Sequence, residues 1–143
     1  FGSWVPHEWI MRILDTVKKC PQHTFLFLSK NTQRYYEFKF PEANCWLGET
    51  ITGDSAINGA IPPGDKKFIS FEPLLSAIPP EIMKRYEGII IGAMTGPGAV
   101  APKIEWITAL IEYAIKHNIK IYLKNNLLKL FPCPPLVGEL PWL

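Results

Sequence analysis

Two charged residues follow apolar runs at positions where a parallel sheet would place its chemistry. Glu72 lies between Phe71 and Pro73 in the segment FISFEPLL, and Lys124 follows the apolar run IYL. Partial desolvation among such neighbours raises the pKa of a carboxyl and suits it to proton transfer or to binding an amine. A lysine that ends a buried strand suits Schiff-base chemistry. We predict both as catalytic residues; the alternative is a structural ion pair of Glu72 with Lys30 or Lys124.

Further polar residues follow the same apolar runs, and we predict that they bind a ligand. They are Lys30, Glu49, Ser70, Thr95, Gly96 and Asn126. Residues 95–99 read TGPGA, a glycine-rich segment that directs backbone N–H groups toward an anion or forms a plain turn. Both interpretations of this loop stay open.

Five short apolar runs are predicted as strands, and helical periodicity separates them. The strands are expected at residues 24–29, 45–52, 67–71, 88–93 and 120–124, and the helices at 6–19, 32–38, 79–86 and 102–117. Pro6 and Pro102 suit the first turns of two helices, and Asn118 suits a left-handed cap. Three of the runs are almost continuously hydrophobic, as buried parallel strands are.

This alternation predicts an α/β fold: a parallel (β/α) barrel-type segment of about five strands, with its N-terminal strands missing, over residues 1–130. An open doubly wound sheet is the alternative. A dinucleotide-binding version is disfavoured because no GxGxxG follows a strand, and Pro97 interrupts the nearest match, GAMTGPGA. Residues 131–143 contain four prolines and are predicted as a Pro-rich C-terminal arm. The start at Phe1 suggests that upstream residues are missing.

Composition sets limits on the partners of this chain. With 143 residues, 48% hydrophobic and 20% charged, it is typical of a globular protein rather than a disordered one. The net charge of +2 does not indicate nucleic-acid or membrane binding, and no run reaches the ~18 to 20 apolar residues of a membrane span. Cys20, Cys45 and Cys133 have no metal-type spacing with histidine. We therefore predict reduced thiols, no metal site and a cytoplasmic location.

The ordered segments FGSWVPHEWI, CPQHTFLFLSK, NCWLG, FISFEPLL, IGAMTGPGA and YLKNNL span residues 1–127. Together they resemble a phage-associated, radical-SAM-like family, named gp-thirty-seven/gp-sixty-eight-like and otherwise a domain of unknown function. The resemblance implies a partial or complete (β/α) barrel. It also implies an iron–sulfur cluster and S-adenosylmethionine in the intact protein, held through an upstream CxxxCxxC-like motif that is absent here. This chain alone would then hold no cofactor.

The family's motifs transfer to particular positions of this chain. Its SFEP matches Ser70, Glu72 and Pro73, its glycine-rich loop matches Thr95, Gly96 and Pro97, and its KxN matches Lys124 and Asn126. Met94 departs from the acidic residue that many members carry.

We therefore expect a C-terminal fragment of a radical-SAM-like phage protein of unknown reaction, inactive without its cluster-binding segment. The alternative is a non-enzymatic module that binds a small molecule, a nucleotide, nucleic acid or a protein. A third hypothesis is a cofactor-free enzyme that uses Glu72 and Lys124 for carbonyl chemistry. The open edges of such a sheet predict self-association, unless the helix at 6–19 and the Pro-rich arm cover the first strand.

Overall fold

Five parallel strands form one sheet in the computed structural model, which describes residues 1–53, 59–128 and 130. The strands are β1 (Phe25–Ser29), β2 (Cys45–Thr50), β3 (Lys67–Phe71), β4 (Gly88–Ile91) and β5 (Lys120–Leu123). They lie in the order β1-β2-β3-β4-β5, and every neighbouring pair is parallel. Within the described residues β1 does not pair with β5, so the sheet is open. The predicted α/β fold with a five-stranded parallel sheet is confirmed, and the strands of the described residues do not close into a barrel.

Helical segments connect the strands. In the described part of the chain they are α1 (His7–Lys19), α2 (Ile104–Lys116), the short α3 (Asn125–Leu128) and the 3₁₀ helices Thr32–Glu37 and Pro80–Arg85. Asn118 follows α2 with a φ of 55°, as its predicted left-handed role requires. The segments near residues 32–38 and 79–86 are 3₁₀ rather than α-helical, and α3 was not predicted.

One face of the sheet is packed against the helices, and we call it the helix-covered face. On α2, Ile107, Leu110, Ile111 and Ala114 recur at helical spacing and are buried. They share a core with β3, β4 and β5 through Ile69, Phe71, Ile89, Ile91, Ile121 and Leu123. Near β1, Ile10 and Leu14 of α1 form a second cluster with Phe38 and Phe27.

The other face, which we call the open face, is built in rows because register partners of parallel strands point to the same side. One row contains Leu28, Gly48, Phe68, Gly88 and Lys120. The next row toward the carboxyl ends contains Thr50, Ser70, Ile90 and Tyr122. This second row leads to the carboxyl ends of the strands, which are followed by the predicted site residues Glu72 and Lys124.

Some predictions lie outside the described residues. The Pro-rich arm at residues 131–143 and Cys133 belong to that part of the chain, while Cys20 and Cys45 are free thiols. In the part of the chain that the structure describes, no helix is long and apolar enough to cross a membrane.

Candidate functional site

Glu72 and Lys124 meet at the carboxyl end of the sheet. Lys124 Nζ donates a hydrogen bond to Glu72 Oε1, although β4 separates the strands that carry them. Gly92 directly follows β4 and lies between the two, and a Cβ atom there would lie 3.1 Å from Glu72 Cγ. Because Gly92 has no side chain, the Glu72 side chain crosses the end of β4 and reaches the lysine. The ion pair of Glu72 with Lys124, given above as the alternative to a catalytic role, is thus present in the structure.

Backbone hydrogen bonds that continue past the strands hold this pair in place. Gly92 N donates to Phe71 O at 3.0 Å, and Lys124 N donates to Ile91 O at 2.9 Å. Leu74 N donates to Gly92 O at 3.0 Å, which fixes the chain just beyond Glu72. The two charged side chains therefore extend from hydrogen-bonded backbone at the carboxyl end of the sheet.

Ser70 lies one row below the ion pair on the open face. The residue is 1% exposed, and within the described residues its hydroxyl has no hydrogen-bond partner. Its register neighbours are Thr50 on β2 and Ile90 on β4. Because a buried hydroxyl without a partner loses its hydration, it favours a polar atom of a ligand or water beside it.

Asn126 holds the end of β4 to the segment after β5. Its side-chain amide donates to Ala93 O at 2.8 Å and accepts from Ala93 N at 3.2 Å. Both ends of the amide are therefore used on the backbone of one residue, Ala93. Asn126, predicted as a ligand-binding residue, lies beside Lys124 as a residue that positions the backbone.

The glycine-rich loop after β4 is exposed. Gly96 and Gly98 have φ values of 98° and 74°, a left-handed backbone that side chains disfavour. Ala99 N donates to Gly96 O at 3.2 Å, which closes a turn. Thr95 and Gly96 thus lie in an exposed turn, and Lys30 is an exposed residue after β1. The structure gives no contact between these three residues and the Glu72–Lys124 pair.

Glu49 occupies a different environment from the one that the sequence suggested. It lies on the helix-covered face, 7% exposed, where its carboxylate accepts a hydrogen bond from the Tyr86 hydroxyl. Burial raises the pKa of Glu49, and the Tyr86 hydrogen bond opposes that rise. Burial and the neighbouring Glu49 also raise the pKa of Tyr86. The alternation of side chains along β2 therefore separates Glu49 from Glu72.

A family model for a protein of unknown function (DUF5131) matches residues 1–126, which include Glu72, Lys124 and Asn126. The chain belongs to the DUF5131 family. No curated protein matches the chain, and neither does any solved structure. Membership of DUF5131 assigns the chain a family without assigning a reaction to its residues.

A metal centre in this DUF5131 member would need several ligating side chains in one group. Across residues 1–53, 59–128 and 130, no group of three or more His, Cys, Asp or Glu residues could hold a metal ion.

The DUF5131 site presents two opposite charges, those of Glu72 and Lys124, which are partly exposed at the carboxyl end of the sheet. The Lys124 and Glu72 side chains are 41% and 29% exposed. A carboxylate accepts several hydrogen bonds and an ammonium donates three, so neither group is saturated by the other. The pair can therefore accept a further cationic group at Glu72 and a further anionic group at Lys124.

Proposed function

We propose that this DUF5131 chain is a ligand-binding module of the (β/α)-barrel type, and that its ligand is a small zwitterion bound at Glu72 and Lys124. The observation that carries the proposal is the ion pair that crosses Gly92 at the carboxyl end of the sheet. In parallel α/β folds this end is where ligands bind.

A zwitterion fits because its charges complement both partners. Its ammonium group would join the Glu72 carboxylate, and its carboxylate would join Lys124, so that opposite charges alternate around the site. The unpartnered hydroxyl of Ser70 supplies a polar contact one row below. The net charge of +2 argues for a small ligand rather than nucleic acid, which basic patches recognise.

The strand order supports the barrel-type assignment. A doubly wound sheet reverses its strand order at a switch point, whereas here the order is sequential from β1 to β5. The helix-covered face holds the described core clusters, as on the outside of a (β/α) barrel. The open face would then correspond to the barrel interior.

The ordered motifs favour a second candidate, in which a radical-SAM-like phage protein contains this chain as its C-terminal part. S-adenosylmethionine carries an α-amino-acid group and so belongs to the ligand class proposed for Glu72 and Lys124. The described residues contain no group of three or more His, Cys, Asp or Glu residues that could hold a metal ion, so a cluster would need further residues. Reading the coding sequence upstream of Phe1 tests this candidate, because absence of a CxxxCxxC-type motif there would eliminate it.

Carbonyl chemistry at Lys124 is disfavoured by the same ion pair. Lys124 Nζ already donates a hydrogen bond to Glu72 Oε1, and this contact engages the nitrogen that would have to attack a carbonyl. Borohydride trapping with candidate aldehydes is therefore expected to leave Lys124 unmodified.

Calorimetric titration tests the binding proposal directly. The ligands are S-adenosylmethionine, methionine, ATP and single-stranded DNA, and the proteins are the wild type, Glu72→Gln and Lys124→Met. Exposed Glu87 and Lys116 provide charge-matched controls as Glu87→Gln and Lys116→Met. We expect S-adenosylmethionine or methionine to bind, and each site variant to weaken binding by about tenfold or more. Absence of binding by both, or equal binding by site and control variants, would refute the proposal.

A further inference from the structure

A second concave region lies at the opposite end of the sheet from Glu72 and Lys124. This cleft, of about 490 Å³, is located beside the start of β2 and the loop that leads into β3. Its apolar lining consists of Phe38, Phe40, Pro41, Cys45, Leu47 and Pro63. A volume of this size falls within the range of small-molecule sites, roughly 300 to 1,000 Å³.

The aromatic wall of the cleft is held rigidly. The Phe40 ring lies 5.5 Å from that of Phe27 and 5.6 Å from that of Tyr35, both edge-on. The Tyr35 hydroxyl donates to the carbonyl oxygens of Phe27 and Gly48, each at 2.9 Å. Phe38 stacks on His7 with 4.5 Å between ring centroids. Because these rings are already fixed, a ligand would pay little ordering entropy on binding.

The charged residues around the cleft balance one another. They are Lys39, Glu42, Asp65 and Lys66, two of each sign. The Lys66 ammonium already donates to the carbonyl oxygen of Ala43. Cys45 is 4% exposed, and burial raises the pKa of its thiol, which keeps the thiol neutral. The lining thus favours neither an anion nor a cation.

We propose that this cleft binds a small uncharged molecule with a planar aromatic ring, packed against Phe38 and Phe40 over Leu47. A planar aromatic ring interacts favourably with the rings that line the cleft, through edge-to-face and offset contacts at centroid separations of about 4.5 to 7 Å. The site is separate from the zwitterion site at the carboxyl end, and neither proposal depends on the other.

An uncharged fluorescent probe, N-phenyl-1-naphthylamine, tests the cleft in the full chain. Pro63→Phe fills the cleft from its rim, and Pro79→Phe adds the same ring at an exposed position outside it. We expect the probe to bind the wild type and Pro79→Phe equally, and Pro63→Phe at least tenfold more weakly. Equal binding by all three proteins would overturn the proposal.

A second variant and a map of the binding site keep the test decisive. Should Pro63→Phe fail to fold, Pro41→Phe introduces the same ring at another residue that lines the cleft. Amide chemical shifts on titration should change mainly at residues 38–47 and 63–66. Changes centred on Glu72 and Lys124, or a preference for the sulfonated analogue 8-anilinonaphthalene-1-sulfonate, would contradict an uncharged-ring site at this end.

Discussion

The ring of Phe68 occupies the space that a side chain at Gly48 would need. The two residues are register partners on β2 and β3, and a Cβ atom at residue 48 would lie 2.3 Å from Phe68 Cζ. Phe68 is only 2% exposed, so its ring has little room to move aside. The absent side chain on one strand therefore allows the large side chain on the next.

We expect Gly48→Ala to lower the free energy of unfolding by about 1 to 3 kcal/mol, the usual cost of overpacking. Urea denaturation measures the change. Phe68→Leu shortens the opposing side chain, so the double variant should lose less stability than the sum of the two single variants. Additive losses would mean that the two positions do not compete for space. Gly59→Ala is the control, because its nearest contact would be an ordinary 3.4 Å.

The buried carboxyl of Glu49 predicts a pH dependence of stability. Burial raises its pKa in the folded state, so the folded chain holds this proton more tightly than the unfolded chain does. The stability contributed by the protonated group is complete below the unfolded pKa of about 4.3 and is lost as pH rises through the folded pKa. Glu49→Gln removes this titration. We therefore expect wild-type stability to decline relative to Glu49→Gln as pH increases.

Urea denaturation between pH 4 and pH 8 measures that difference. Tyr86→Phe provides a further check, because the Tyr86 hydroxyl stabilises the ionised carboxylate. Its loss should raise the pKa of Glu49 further and make the decline with pH steeper. A difference between wild type and Glu49→Gln that stays constant with pH, or that has the opposite sign, would contradict the burial of a titrating carboxyl.

Removal of the Asn126 amide should destabilise the end of β4. Asn126→Ala leaves the backbone N–H and carbonyl of Ala93, a residue 8% exposed, without these partners. We expect a loss of about 1 to 3 kcal/mol in the free energy of unfolding. Exposed Asn125→Ala is the matched control and should cost much less. Equal losses would assign the effect to α3 rather than to the two hydrogen bonds.

The Glu72–Lys124 pair should contribute little to stability. Both side chains are partly exposed, and the coupling energy of such pairs is about 0.2 to 1 kcal/mol. A double-mutant cycle with Glu72→Gln and Lys124→Met, followed by thermal or urea unfolding, measures it. A coupling several times larger would mean that the pair mainly holds the fold together, which would weaken the case for a binding role.

Among the described residues β1 lies at an edge of the sheet, and this position leads us to expect self-association. Leu26 and Leu28 are 40% and 46% exposed on this edge strand. Unpaired strand edges with apolar side chains recruit other chains. Light scattering should therefore detect assembly that increases with protein concentration and that Leu28→Lys reduces. Leu75→Lys, at a residue 48% exposed and outside the strands, should leave assembly unchanged. A monomer at all concentrations would exclude edge pairing.

Sequence patterns specify the elements of this chain well because they act locally. Continuous apolar runs indicate buried parallel strands, and all five strands lie within the predicted ranges. The left-handed backbone at Asn118 likewise follows from the residue type and its place after a helix. The ion pair of Lys124 with Glu72 follows from strand polarity, since parallel strands bring their carboxyl ends to one edge.

Other features depend on partners that are distant in the chain. Glu49 is followed by Thr50, and only the register with β3 decides which of these polar residues faces the helices. Tyr86 has no motif of its own, so its hydrogen bond to Glu49 could not be anticipated. Similarly, the space that Gly92 leaves for Glu72 depends on contact between two strands rather than on a local pattern. Tertiary packing, not propensity, sets these details.

The pairing of Thr50 with Ser70 limits which insertions and deletions β3 can accept. Successive residues of a strand point to opposite faces, so one residue inserted early in β3 would turn Ser70 and Glu72 toward the helices. An insertion of two residues would restore the facing of both side chains. Insertions and deletions within β3 upstream of Glu72 should therefore preserve the site only when they add or remove an even number of residues. The number of residues in this strand is thus a constraint on the binding site.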